Sequence, residues 1–146
     1  MLKPRIIPCL LISKDGLVKT QNFGKPKYVG DPINAIRIFN EKEADELMLL
    51  DIDATSENIK PNLSKIKKYA AECRMPLCYG GGIKTVEQAK SIIELGIEKI
   101  AISSAGINDL SLIQNISNEI GAQSVIVVLD FKKDFLGRYK IFTHNG

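Results

Sequence analysis

The stretch PLCYGGGIKT (residues 76–85) decides how this chain is read. A short apolar run meets three consecutive glycines, then Thr85, with Gln88 three residues on as in a helix-opening capping box. Glycine costs backbone entropy, so three in a row answer to a requirement. From these residues alone two requirements stay open. One is a tight turn with packing glycines; the other is a cradle of backbone N–H groups for an anion such as phosphate.

Working outward, the chain alternates. RIIPCLLI (residues 5–12) is apolar after its first residue and reads as a strand buried on both faces. A polar loop over 13–30 follows. Asp31 then caps, and Pro32 opens, a helix reaching about residue 44. ELMLLDI (46–52) is a second strand. A helix over 62–73 places Leu63, Ile66, Ala70 and Cys73 on one face. The run before the glycines is the third strand, and the helix from Thr85 stops at Gly96. KIAIS (99–103) is the fourth strand, followed by a helix over 110–120 capped by Asp109 and ended by Gly121. SVIVVLD (124–130) is the fifth strand, ending at Asp130. The tail, FKKDFLGRYKIFTHNG (131–146), reads as a hairpin in which residues 138–143 return against that strand.

Apolar strands alternating with helices predict a parallel sheet covered on both faces. An open doubly wound sheet would carry a glycine fingerprint after its first strand, and CLLISKDG lacks one. Polar residues instead follow nearly every strand: Asp15, Asp51 and Asp53, the glycines, Ser103 and Ser104, and Asp130. Functional groups along that edge predict the (β/α)8 barrel class. Only about the first half of a barrel plus strand five is expected, because a whole barrel needs about 200–250 residues. Residues 1–146 thus read as one truncated domain, with the first and last strands as open edges and Leu11, Ile126 and Val128 exposed in the lumen.

Composition narrows the function classes. A formal charge of +3 with scattered lysines does not argue for nucleic acid. No apolar stretch approaches the roughly 20 residues of a membrane span, and the start lacks a signal-peptide pattern. Cys9, Cys73 and Cys78 have no metal-ligand spacing and suit reduced core positions in a cytoplasmic protein. His144 reads as part of a frayed polar end. Asp51 and Asp53 lack a third ligand, so no metal is expected, and Asp51 reads as a hydrogen-bonding group at the site edge.

The segments RIIPCL, KDGLVK, NF, GDP, ELMLLDIDAT, PLCYGGGI, EKIAIS and VIVVLD occur in order. On these the chain resembles the amino-terminal part of the cyclase subunits of imidazole glycerol phosphate synthase, from histidine biosynthesis, over essentially its full length. The resemblance implies a barrel of two similar halves, each holding one phosphate site, and no metal or organic cofactor. It implies a glutamine amidotransferase partner docked at the amino ends of the strands. Ammonia from that partner would cross the barrel and attack a ribulosyl-formimino aminoimidazole carboxamide ribonucleotide, giving imidazole glycerol phosphate and an aminoimidazole carboxamide ribotide.

Site residues follow from the same resemblance. Gly81 and Gly82, with Ser103 and Ser104 on the next loop, are read as the phosphate cradle. Lys19 matches a substrate-contacting lysine, and Asp130 matches one of two catalytic aspartates. A carboxylate closing an apolar strand would be partly desolvated, which suits acid–base work. Arg5, Glu46 and Lys99 match three members of a charged ring at the amino ends, the ammonia gate. The other catalytic aspartate belongs where this chain has Leu11, and the following loop is one residue longer. Leucine transfers no proton, and Asp15 matches a residue of structural role. Two alternatives therefore stand beside the cyclase. One is an ammonia-using paralogue that amidates a surface-polysaccharide sugar or another phosphorylated substrate; the other is an inactive half-barrel fragment.

Overall fold

The computed structural model describes residues 3–21 and 24–142. His144 and Thr143, assigned above to the tail and its returning strand, lie outside them. Five parallel strands form the frame: β1 (Cys9–Ser13), β4 (Leu47–Asp51), β5 (Leu77–Gly80), β6 (Lys99–Ile102) and β7 (Val125–Val127). Two antiparallel strands, β2 (Gly16–Lys19) and β3 (Lys27–Gly30), extend the β1 side, giving the order β3-β2-β1-β4-β5-β6-β7. Helices alternate with the parallel strands: α1 (Pro32–Glu41), α3 (Leu63–Glu72), α4 (Val86–Glu94) and α6 (Leu110–Ile120), with short α2 (Asp53–Ser56) and α5 (Ser104–Asn108) between. This is a partial (β/α) barrel.

Local chemistry starts each long helix. Asp31 accepts from the Asn34 N–H at 2.9 Å, Asn62 from Lys65 at 3.1 Å and Gln88 closes a capping box with Thr85. Strand alternation then assigns the faces. Leu47, Leu49, Leu77, Tyr79, Ile100 and Ile102 pack against Ile36, Ile66, Ile92 and Ile116 of the helices in one buried cluster. The opposite face holds a row in register across five strands: Leu11, Leu50, Gly80, Ala101 and Ile126.

Six expectations need correction. The first strand begins at Cys9, not residue 5. The Ile6 N–H is taken by the Asp45 carboxylate at 2.7 Å, Pro8 has no N–H to give, and Ile6 and Ile7 are exposed. The loop over 13–30 is a meander, because Lys14 and Asp15 both adopt positive φ (47° and 71°) and turn β1 tightly into β2. That pairing covers the edge of strand one, which is not open. The fifth strand stops early: Val128 N–H makes a bond to Ile102, and Asp130 already opens β8 (Asp130–Lys133), which pairs with β9 (Tyr139–Phe142) in a separate sheet. The tail hairpin therefore closes on β8 rather than on the sheet. Leu11, Ile126 and Val128 are half-buried rather than bare.

Candidate active site

The carboxyl ends of the parallel strands enclose a cavity of about 750 Å³. Its floor is the lumen row, with Leu11, Leu50, Gly80 and Ala101 in the lining. A Cβ on Gly80 would stand 2.7 Å from Leu50 and 2.8 Å from Ala101, so this glycine is required by packing across three strands. Gly81 and Gly82 line the wall at φ 124° and 70°, where side-chain-bearing residues are strained. A Cβ on Gly82 would meet the Ile59 carbonyl oxygen at 2.5 Å. The packing requirement is met in this loop, whose glycines allow close approach, and Gly81 and Gly82 also border open space.

Ser103 and Ser104 line the same cavity from the β6–α5 junction, beside the glycine loop because β5 pairs with β6. Ser104 is buried and begins α5. Asp130 lines the cavity, half-buried, and it keeps that place although it belongs to β8. Lys19 is exposed at the end of β2, one residue before Thr20, which lines the cavity.

Asp51 borders this cavity and a smaller one of about 160 Å³ on the helix side of the sheet. Its Oδ1 accepts the Asp53 and Ala54 N–H groups, each at 3.0 Å, so the carboxylate starts α2. Burial pushes its pKa above the ordinary carboxylate range, against the lowering pull of those two bonds. Asp15 lies on the smaller cavity, where it pairs with Lys65; it is not among the residues lining the large one. Asp15 and Leu11 therefore border different cavities.

At the amino ends of the strands the structure brings Arg5, Glu46 and Lys99 together. Glu46 is fully buried and accepts from Lys99 Nζ through both oxygens, at 2.7 and 2.8 Å. Arg5 approaches the same carboxylate at 3.6 Å. Cys78, in register with Lys99, has its thiol pushed up to about 12 by burial, with the Glu46 charge adding to the effect. One end of the lumen face is thus an ion cluster around a buried acid, and the other is an open cavity.

Sequence reasoning missed Thr20 and Pro26, which the β2–β3 meander brings to the cavity, and Asn108 from α5. The Asp-Gly pair at 15–16 was a hairpin signal; nothing in the local pattern announced α5. Among the described residues, no three His, Cys, Asp or Glu side chains gather as a metal site, and no helix is long and apolar enough to cross a membrane.

Comparison with known proteins adds to this geometry. A family model described as histidine biosynthesis protein matches residues 5–146. A Pseudomonas aeruginosa protein provisionally named imidazole glycerol phosphate synthase subunit hisF2 is 57% identical over 146 residues, 100% of this chain and 58% of the relative. One from Vibrio vulnificus, provisionally named subunit hisF3, is 54% identical over 147 residues, 100% of this chain and 56% of the relative. Imidazole glycerol phosphate synthase subunit HisF of Alkaliphilus metalliredigens is 38% identical over 146 residues, 100% of this chain and 58% of the relative. The chain spans under three-fifths of the length of these curated relatives. The matched span takes in every strand and helix described above, and the chain belongs to the histidine biosynthesis protein family.

Proposed function

We propose that residues 1–146 are the amino-terminal part of a cyclase-type barrel subunit that accepts ammonia at the Glu46 end and uses it on a phosphorylated substrate at the Asp130 end. One observation carries this reading: a single sheet face joins the buried Glu46 cluster to the cavity lined by Gly81, Gly82, Ser103 and Ser104. In this reading Arg5, Glu46 and Lys99 gate ammonia from a glutamine amidotransferase partner seated at the amino ends of the strands. The glycine loop and the two serines hold one phosphate through backbone N–H groups and hydroxyls. Asp130, half-buried at the cavity, moves a proton to or from the reacting group. The reaction is the closure of imidazole glycerol phosphate with release of the aminoimidazole carboxamide ribotide. It is a lyase step of cytoplasmic histidine biosynthesis and needs no cofactor.

A second reading is favoured by Leu11. It sits in the floor row beside Leu50, so that wall offers an apolar surface where the first reading asks for a second proton-transferring group. Four relatives at 54–57% identity bear provisional names, two of them numbered, whereas a plainly named HisF subunit stands at 38%. This supports an ammonia-using paralogue with a different phosphorylated acceptor. Cyclase turnover with ammonium salts, which bypasses any partner, separates the two. Removing a positioned acid or base costs about 10²–10⁴-fold, so a full-length version carrying Leu11 should turn over the histidine-pathway substrate poorly and gain from Leu11→Asp. Asp130→Asn should abolish what remains. Turnover equal to that of a relative with aspartate at this position, with Leu11 in place, sinks the acid–base assignment. No turnover before or after Leu11→Asp favours the paralogue.

A further inference from the structure

The small cavity beside Asp51 lies on the face of the sheet turned away from the lumen, where β1, β4 and β5 meet α2 and α3. The strands send Ile12, Asp51 and Tyr79 into its lining, and α3 sends Lys65, Ile66 and Tyr69. Its volume of about 160 Å³ is far more than the roughly 10–15 Å³ that a single water needs.

Several of its polar groups have no partner. Tyr69 and Tyr79 are only 7% and 3% exposed, yet neither hydroxyl makes a hydrogen bond among the described residues. Every polar side-chain atom sealed from space there does have a partner, so both hydroxyls open onto the cavity that their rings line. The Asp51 carboxylate adds a third group, since Oδ1 takes the Asp53 and Ala54 N–H groups and Oδ2 takes none. Burial raises both phenol pKa values, and the Asp51 charge adds to it at each, behind that of Asp15 at Tyr69. The three groups thus surround one space.

The charges around that space do not balance. Four carboxylates and three lysines line it. Lys65 is engaged by Asp15, while Lys14 and Lys60 are exposed and form no ion pair among the described residues. Asp51 therefore holds a half-buried carboxylate with no paired cation, and water alone does not neutralise it.

We infer that this cavity binds a small monovalent cation, of the size of potassium or ammonium, through Asp51 Oδ2 and the hydroxyls of Tyr69 and Tyr79. One carboxylate with two neutral oxygens matches a single positive charge. A calcium site takes about six to eight oxygens, several of them from carboxylates. No three acids gather as a metal site among the described residues. The ion would steady the corner where β4 passes into α2. Gly81 packs on that corner, since a Cβ there would stand 2.5 Å from the Asp51 carbonyl oxygen. Nothing in this site depends on what the large cavity binds.

The test is titration of the full chain with potassium chloride or ammonium chloride, with ionic strength held by tetramethylammonium chloride, whose methyl groups keep oxygen ligands from its charge. The chain has no tryptophan, so its ultraviolet difference spectrum reports its four tyrosines. Each ion should give a saturable tyrosine signal and, at about ten times its dissociation constant, raise the thermal midpoint by about 5 °C. Tyr69→Phe and Tyr79→Phe keep the rings and should each weaken binding about tenfold. Tyr139→Phe, outside the cavity, should leave the midpoint rise unchanged. Asp51→Asn should abolish the response. Without either ion it gains on the parent between about pH 4 and pH 7, as burial requires, and saturating potassium should reverse that order. A response to only one of the two ions keeps the site and identifies its occupant. No saturable response, a response that both tyrosine variants leave unchanged, or calcium binding more tightly than potassium overturns it.

Discussion

Replacing Lys99 by methionine leaves the Glu46 carboxylate fully buried with the Arg5 guanidinium, at 3.6 Å, as its remaining cation among the described residues. Two bonds of 2.7 and 2.8 Å are lost. Breaking a buried ion pair from one side costs about 3–5 kcal/mol, and Arg5 places this case near the lower end. Glu46→Leu acts differently. The Lys99 side chain is 21% exposed and can turn its ammonium toward water along its flexible stem, so about 1–2 kcal/mol is expected. The Glu46→Leu/Lys99→Met double variant removes both charges and should recover to within about 1 kcal/mol of the parent. Urea unfolding of the four proteins, with midpoints and slopes compared, measures this cycle. Thermal midpoints should follow, with Lys99→Met lower by roughly 10 °C. The reasoning fails if Glu46→Leu costs as much as Lys99→Met, or if the double variant is worse than either single one.

Three further outcomes follow from particular contacts. Gly82→Ala should destabilise by about 1–3 kcal/mol, since φ is 70° and the new Cβ meets the Ile59 carbonyl oxygen at 2.5 Å, while Gly30→Ala, with nothing within 4 Å, should be near neutral by the same denaturation assay. Asp51 holds its proton to higher pH when folded than when unfolded, so its contribution to stability falls as pH rises through its raised pKa. Asp51→Asn, which keeps an acceptor for both α2 amides, should therefore gain on the parent between about pH 4 and pH 7; a loss across that window contradicts the burial argument. Thiol labelling at mildly alkaline pH should reach exposed Cys9 first and Cys78, pushed up to about 12, last, and equal rates would refute the buried placement.

Signals that act over a few residues were legible in the sequence. The caps at Asp31, Thr85 and Asp109 each start a helix where they were read, because a side chain satisfies an N–H two or three positions on. The Glu46 cluster was legible through strand position together with family resemblance, since parallel strands bring their first residues to one end. The turn from β1 into β2 left one signal, Asp15-Gly16, that went unread, because it also needs Lys14 at positive φ, which lysine rarely adopts. Asp51 read as a site-edge group, yet its carboxylate is spent on α2, a helix too short to leave a periodic pattern. Asp130 read as the end of a strand because apolarity runs unbroken to it, whereas the last bond to the sheet described here lies at Val128. Its place at the cavity survives because residues 126, 128 and 130 share a parity. Leu11 was legible as a departure only against the family pattern, and its consequence became visible in the floor row it shares with Leu50 and Gly80.

The central claim is that the cavity between the Gly81–Gly82 loop and Ser103–Ser104 takes a phosphate, and crystals of this chain grown in phosphate or sulfate test it most directly. The account predicts one ordered anion held by backbone N–H groups around Gly81, Gly82 and Ser104, on the same side of the sheet as Asp130. An ordered anion elsewhere, with this cavity closed by its own side chains, would contradict it.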